Sequence, residues 1–148
     1  MQAAKYLLLL LIIFSFTQSS CKKSEDSKEK SRTELLTQKP WILVKWRYNI
    51  ANGDWVDAFA TEPACDNDDI FNFKADHTSV RAMGALICNP DFPQPRTGKW
   101  AFQGYDTYLY LNNIWRDDTF IIDALNESVM ILRSHHSAIY DEFTFAHP

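Results

Sequence analysis

The chain has 148 residues, 15 of them basic and 19 acidic, for a formal net charge of −4, and 14% of its residues are aromatic. An acidic balance of this kind supplies no positive field to draw in a phosphate backbone, which excludes nucleic acid as a partner. The length allows one domain.

Residues 1–20 have the layout of a secretory leader. Lys5 is the positive segment, Tyr6–Phe16 is an eleven-residue apolar run, and Ser20 is the small residue at a cleavage site. The run is too short to span a bilayer, which takes about 20 residues. Cys21 follows directly, and a cysteine in that place resembles the lipobox of bacterial lipoproteins, with Gln18 standing where the motif usually has Leu. The resemblance implies a thiol that is diacylated and becomes the mature N-terminus, and so a lipid anchor at the bacterial outer membrane, on its periplasmic face or at the cell surface. Loss of the leader removes only Lys5, leaving 14 basic and 19 acidic residues and a net charge of −5.

Residues 21–34 read as a disordered tether. Lys22 to Arg32 holds charged and hydroxylated side chains with no large apolar group to bury, so nothing offsets the entropy of ordering. About 16 residues of such chain reach roughly 20–24 Å on a root-mean-square basis. Ser24-Glu25-Asp26 resembles the acidic signals that send some lipoproteins to the cell surface, and it equally suits an ordinary solvated linker. Ser31-Arg32-Thr33-Glu34 fits a capping box ahead of Leu35 and Leu36, which predicts one helical turn laid over an end of the domain at 35–148.

From Pro40 the pattern is that of an all-β protein. Trp41–Tyr48 is a β-branched and aromatic run, and Asn52-Gly53 predicts a hairpin into Trp55–Phe59. Ile70–Lys74 alternates, with Phe71 and Phe73 on one face, and Ala75-Asp76-His77 turns it into Thr78–Arg81. A proline-rich loop leads to Gly98–Phe102, and Gly104-Tyr105-Asp106 leads to Thr107–Leu111. Thr119–Leu125 and Val129–Arg133 flank the turn Asn126-Glu127-Ser128, and Ile139–Phe145 alternates again. Short strands at this spacing, without a sustained helical period, predict an antiparallel sheet that closes on itself as an up-and-down barrel.

With Cys21 taken by lipid, Cys65 and Cys88 form an even pair in an oxidising compartment. A disulfide between them is expected, contributing about 3.5 kcal/mol in the chain-entropy model. Two cysteines so far apart lack the paired spacing of a zinc site.

Several segments in this order resemble the small bacterial lipoproteins of the lipocalin-like family. They are Leu35–Trp41 entering the first strand, Cys65–Phe73 opening a middle one, Cys88 ahead of Gly98-Lys99-Trp100, and the closing strands around Leu125–Val129. The chain departs from lipocalins proper at Lys39, two places before the first-strand tryptophan, and at His77, where the family usually has Gly. The resemblance implies an eight-stranded barrel whose lumen either holds one small, mostly apolar ligand or is filled by its own side chains. It also implies that Trp41 plugs one end.

The ligand residues expected on these grounds are Trp41, Phe71, Phe73, Trp100, Trp115 and Arg133. Trp115 lies in a loop, as either an exposed contact or a packing residue. Arg133, Asp123 and Asp141 would make a polar site if they faced inward, and ordinary surface if they faced out. Asp66, Asp68 and Asp69 are dense, but an EF-hand counted from Asp66 would have Phe71 and His77 at its Gly and Glu places, so a solvated turn is expected. His135 and His136, placed in the last turn, point to opposite faces of extended chain and suit no shared metal. No G-x-S-x-G or H-E-x-x-H motif occurs. The expectation is therefore a monomeric, non-enzymatic lipoprotein with no cofactor or metal. It either carries a small apolar ligand or contacts an envelope protein or glycan through its loops.

Overall fold

The computed structural model describes residues 29–91, 94–115 and 117–148. The leader, Cys21 and the tether as far as residue 28 lie outside the described residues. Helix α1 (Arg32–Thr37) begins at the predicted capping box: Glu34 N donates to Ser31 Oγ at 3.2 Å, and Ser31 N donates to Glu34 Oε2 at 2.7 Å. This cap makes residues 32–34 helical, where the sequence suggested tether.

Nine strands follow: β1 (Trp41–Ile50), β2 (Val56–Asp57), β3 (Ile70–Phe73), β4 (Thr78–Ala82), β5 (Arg96–Gln103), β6 (Tyr108–Asn112), β7 (Asp118–Leu125), β8 (Val129–His136) and β9 (Ile139–Ala146). Every pairing is antiparallel, and β1 pairs with β9 from Ile42↔Ala146 to Ile50↔Ile139, which closes an eight-stranded barrel of β1 and β3–β9. Closure removes the free edges that an open sheet would expose.

The strand expected at Trp55–Phe59 shrinks to β2, a two-residue flap on Arg47 and Tyr48. The turn centres on Ala51 and Asn52, both with positive φ, and Gly53 N donates back to Ile50 O at 2.9 Å. The long β1–β9 ladder sets this register, and beyond β2 the chain enters a 3₁₀ turn at Phe59–Thr61 and a short helix, α2 (Ala64–Asn67). His77 takes φ of 64° in the β3–β4 turn, the role a glycine usually fills, and its ring lies 4.7 Å from that of Trp100. His135 and His136 belong to β8 rather than to a turn, which is formed instead at Ser137, with φ of 58°.

Antiparallel alternation puts the β3–β4, β5–β6 and β7–β8 turns at one end, together with α1. Lys30 pairs there with Glu127 of the β7–β8 turn at 2.7 Å. Leu36 of α1 is fully buried, and Trp41 donates its Nε1–H to Leu36 O at 2.9 Å, so helix and tryptophan seal this end together. His147 packs on Trp41 at 4.0 Å and contacts Pro40 O through Nδ1 at 2.7 Å. Trp100 is 1% exposed, donates to Lys74 O at 2.9 Å, and meets Phe73 edge-on. Buried indoles with a satisfied N–H combine large apolar area with no orphaned donor.

Candidate functional site

The opposite end holds the loops before β3, between β4 and β5, between β6 and β7, and between β8 and β9. The β6–β7 loop folds into the barrel. Gly98 makes this close approach feasible: a Cβ there would lie 1.8 Å from Asn112 O and 2.8 Å from Ile114 Cγ2. Asn113, at φ of 60°, holds the bend by donating its Nδ2–H to Thr97 O at 3.1 Å and its backbone N–H to Asp117. Ile114 is fully buried as a result. Trp115 sits edge-on to Phe143 at 4.5 Å and parallel to Phe120 at 6.0 Å, with Phe71 and Phe145 also at 6.0 Å. Trp115 is therefore part of the lumen wall, which settles the choice between exposed contact and packing residue.

Across the lumen, β1 carries a bulge between Leu43 and Lys45. The extra residue re-phases the strand, so that Trp46, paired with Phe143, shares the inner face with Trp41 and Leu43. Trp46 Nε1 donates to Asp141 Oδ1 at 2.8 Å, and Asp141 is 5% exposed. Of the acidic and basic strand residues left open by alternation, Asp141 thus faces in. Arg133 and Asp123 face out and pair with each other on the outer surface, away from the lumen. Arg133 accordingly takes no part in the pocket, contrary to expectation.

Arg81 on β4 stands opposite Phe71 on β3, with its guanidinium 5.7 Å from that ring. Its Nε and Nη2 both donate to Asp69 Oδ2, and Nη2 reaches Asp66 Oδ1 at 3.3 Å. Asp69 is 4% exposed, and its Oδ1 has no partner among the described residues. Burial pushes the Asp69 carboxyl above its ordinary value, opposed by the attraction of Arg81. Next to it, Asn67 donates Nδ2–H to Phe59 O at 3.1 Å, and Asp68 Oδ2 accepts from Leu86 N at 2.9 Å. The dense aspartates therefore hold different partners: Asp68 the following loop, Asp69 and Asp66 the arginine.

The expected disulfide Cys65–Cys88 is formed, with the Cα atoms 5.2 Å apart, and it ties α2 to the β4–β5 loop. Asp66 lies close to both sulfurs, but these are bonded to each other and offer no thiolate to a metal.

Two adjoining cavities result, with Asp66 and Arg81 in the wall of both. One, of about 250 Å³, has an apolar side made of Leu43, Trp46, Phe71 and Trp115 and a polar side made of Glu62, Asp66, Asn67 and Arg81. The other, of about 330 Å³, lies under the disulfide and is more polar, with Asp69, Asn89, Gln94 and Arg96 in its lining. Of the expected ligand residues, Phe71 and Trp115 come together at the first cavity, while Trp41, Phe73 and Trp100 are buried in the core and line neither. Trp46, Arg81, Glu62, Asp66 and Asn67 line it without having been expected there. Strict alternation from Trp41 puts Trp46 outside, and Arg81 reads as a surface position on a polar strand.

No known protein family matches this chain, and neither does any curated protein. Among solved structures, the crystal structure of a DUF4847 family protein from Bacteroides vulgatus is similar. The TM-score is 0.54 at 18% sequence identity, covering 80% of this chain and 98% of that chain. At that identity the likeness establishes the fold alone, an eight-stranded barrel compatible with ligand binding.

Proposed function

We propose that this protein is an exported, lipid-anchored binding module that holds one small molecule at the open end of its barrel and performs no chemistry on it. The observation that carries this is the cavity of about 250 Å³ flanked by Trp46, Phe71 and Trp115 at the open end of a barrel whose other end is closed by buried side chains. Rings already fixed by their neighbours offer apolar area at little cost in ordering. The volume lies just below the usual range for ligand pockets and suits a molecule about the size of one substituted ring. Anchoring through Cys21 rests on the leader and the lipobox-like cysteine, and the outer membrane is the location that goes with it.

Native mass spectrometry of the protein released from the membranes of its own host tests both parts. The expected spectrum carries acyl mass on Cys21 and a small-molecule adduct. Acylated protein with no adduct would remove the carrier role, and a free Cys21 thiol would remove the anchor.

One observation favours a second reading, a loop-mediated contact with an envelope partner. Ile50, Val56, Leu86, Ile87 and Ile139 are each at least 41% exposed, and all belong to segments at the open end. Apolar side chains gathered on one rim are characteristic of interaction surfaces.

A further inference from the structure

We propose that the Cys65–Cys88 bond is a site of thiol–disulfide exchange, attacked at Cys88 by an external thiolate, and that its opening loosens the wall shared by the two cavities. No ligand in the pocket is needed for this.

The first ground is access. A disulfide reacts with a thiolate in the folded state only where a sulfur can be reached, and exposed bonds are the labile ones. Residues 85–88 are all exposed, with Leu86 at 49% and Ile87 at 61%, and no helix or strand occupies the stretch between β4 and β5. Cys65, on α2, is half-buried, and both cysteines line the cavity of about 330 Å³. Attack therefore falls on the exposed cysteine, Cys88, and Cys65 is the leaving group.

The second ground is the place of the bond in the barrel. Strand β3 has four residues and β4 five, and β1 pairs with β3 only at Trp41↔Phe71 and Ile42↔Ile70. Because β1 itself runs on to Ile50, the wall toward the open end on this side is made by the segments between β2 and β3 and between β4 and β5. The disulfide joins one to the other, and Leu86 N donates to Asp68 Oδ2 at 2.9 Å across the same joint. The β1–β9 ladder that closes the barrel lies elsewhere. Opening the bond thus frees the segment that supplies Glu62, Asp66 and Asn67 to the smaller cavity and leaves the staves and the sealed end in place.

In the exchange, the incoming sulfur bonds to Cys88 Sγ as the Sγ–Sγ bond breaks. The electron pair leaves on Cys65 Sγ, which takes a proton from water. A second thiolate then attacks the added sulfur and releases Cys88 as a thiol, so that two external thiols become one disulfide and the protein gains two electrons and two protons.

The test uses the mature chain with Cys21→Ser, which removes the third thiol, and reduced glutathione as the probe. Samples quenched early in acid, alkylated and digested are expected to carry glutathione on Cys88 and the alkyl group on Cys65. The rate should rise in proportion to glutathione and change by less than about twofold in urea below the unfolding transition. It should lie within about tenfold of the rate for the unfolded chain, the deficit reflecting the Asp66 carboxylate, which is within 4.8 Å of both sulfurs and opposes an incoming anion. In nitrogen-15 spectra of the reduced protein, the indole signals of Trp46 and Trp115 should move while those of Trp41 and Trp100 stay. A rate that climbs with urea as steeply as global unfolding, or glutathione found first on Cys65, overturns the exchange site. Exchange in the folded state that leaves Trp46 and Trp115 unmoved, or that moves Trp41 and Trp100 with them, refutes the local loosening of the wall.

Discussion

Replacing Arg81 by Met keeps most of the side-chain volume and removes the charge. The Arg81 side chain is 13% exposed and that of Asp69 5%, so the variant leaves a carboxylate buried with both oxygens unpartnered. Removing one member of a buried pair costs about 3–5 kcal/mol. The cavities on either side admit water to the gap, which places the expected loss near the lower bound, about 3 kcal/mol, or on the order of 10 °C in Tm for a domain of this size. The loss should also depend on pH. Burial raises the Asp69 pKa above its unfolded value, so the native state holds the proton more tightly than the unfolded chain. Its favourable contribution is complete below the unfolded pKa and is lost as pH rises through the folded one. Without Arg81 the folded pKa climbs further, so the variant should recover stability on acidification from neutral pH, by more than the parent does over the same interval. Denaturant unfolding with the disulfide intact, repeated from pH 7 down to mildly acidic conditions, measures this. The added substitution Asp69→Asn should restore much of the loss at neutral pH. A cost below about 1 kcal/mol, or an equal cost at both ends of the pH range, would refute the view of Arg81 as the partner that makes burial of Asp69 tolerable.

Gly98→Ala drives a methyl into Asn112 O and Ile114, which should cost about 3 kcal/mol and displace Trp115, seen as a lower Tm together with a shifted indole signal. Converting Cys65 and Cys88 together to Ser frees the loop between them and should lower stability by about 3.5 kcal/mol in denaturant titrations. Trp41→Ala empties the sealed end and should cost about 3–5 kcal/mol by the same measurement. Arg133→Ala should change stability by less than about 1 kcal/mol and leave binding of any pocket ligand unaltered, because its pairing with Asp123 is on the outer surface.

The barrel is legible in the sequence because its staves are bounded by turn chemistry that local rules describe. The helical turn is visible in Ser31 and Glu34, the β7–β8 hairpin in Asn126, whose Oδ1 accepts from Ser128 N and Val129 N at 2.9 Å each, and the cross-link in the even cysteine pair. The pocket is much less legible, for two physical reasons. A bulge changes inside to outside partway along β1, which conceals Trp46 from any fixed two-residue period. A loop that folds inward follows no period at all, and only the tight fit of Gly98 under Asn112 accounts for where Trp115 goes. Arg81 was hidden differently: its place inside the barrel depends on Asp69 and Asp66, twelve and fifteen positions away, meeting it across the sheet.

Residues on both sides of the barrel segment converge on the stoppered pole: Lys30 grips the β7–β8 turn, and His147 lies against Trp41 and Pro40. Whatever the chain is joined to, in front or behind, is therefore joined at the base of the cup, and its lip is held away from the attachment. A tether or an engineered fusion at either terminus would therefore leave the loops of the opposite end clear of the join.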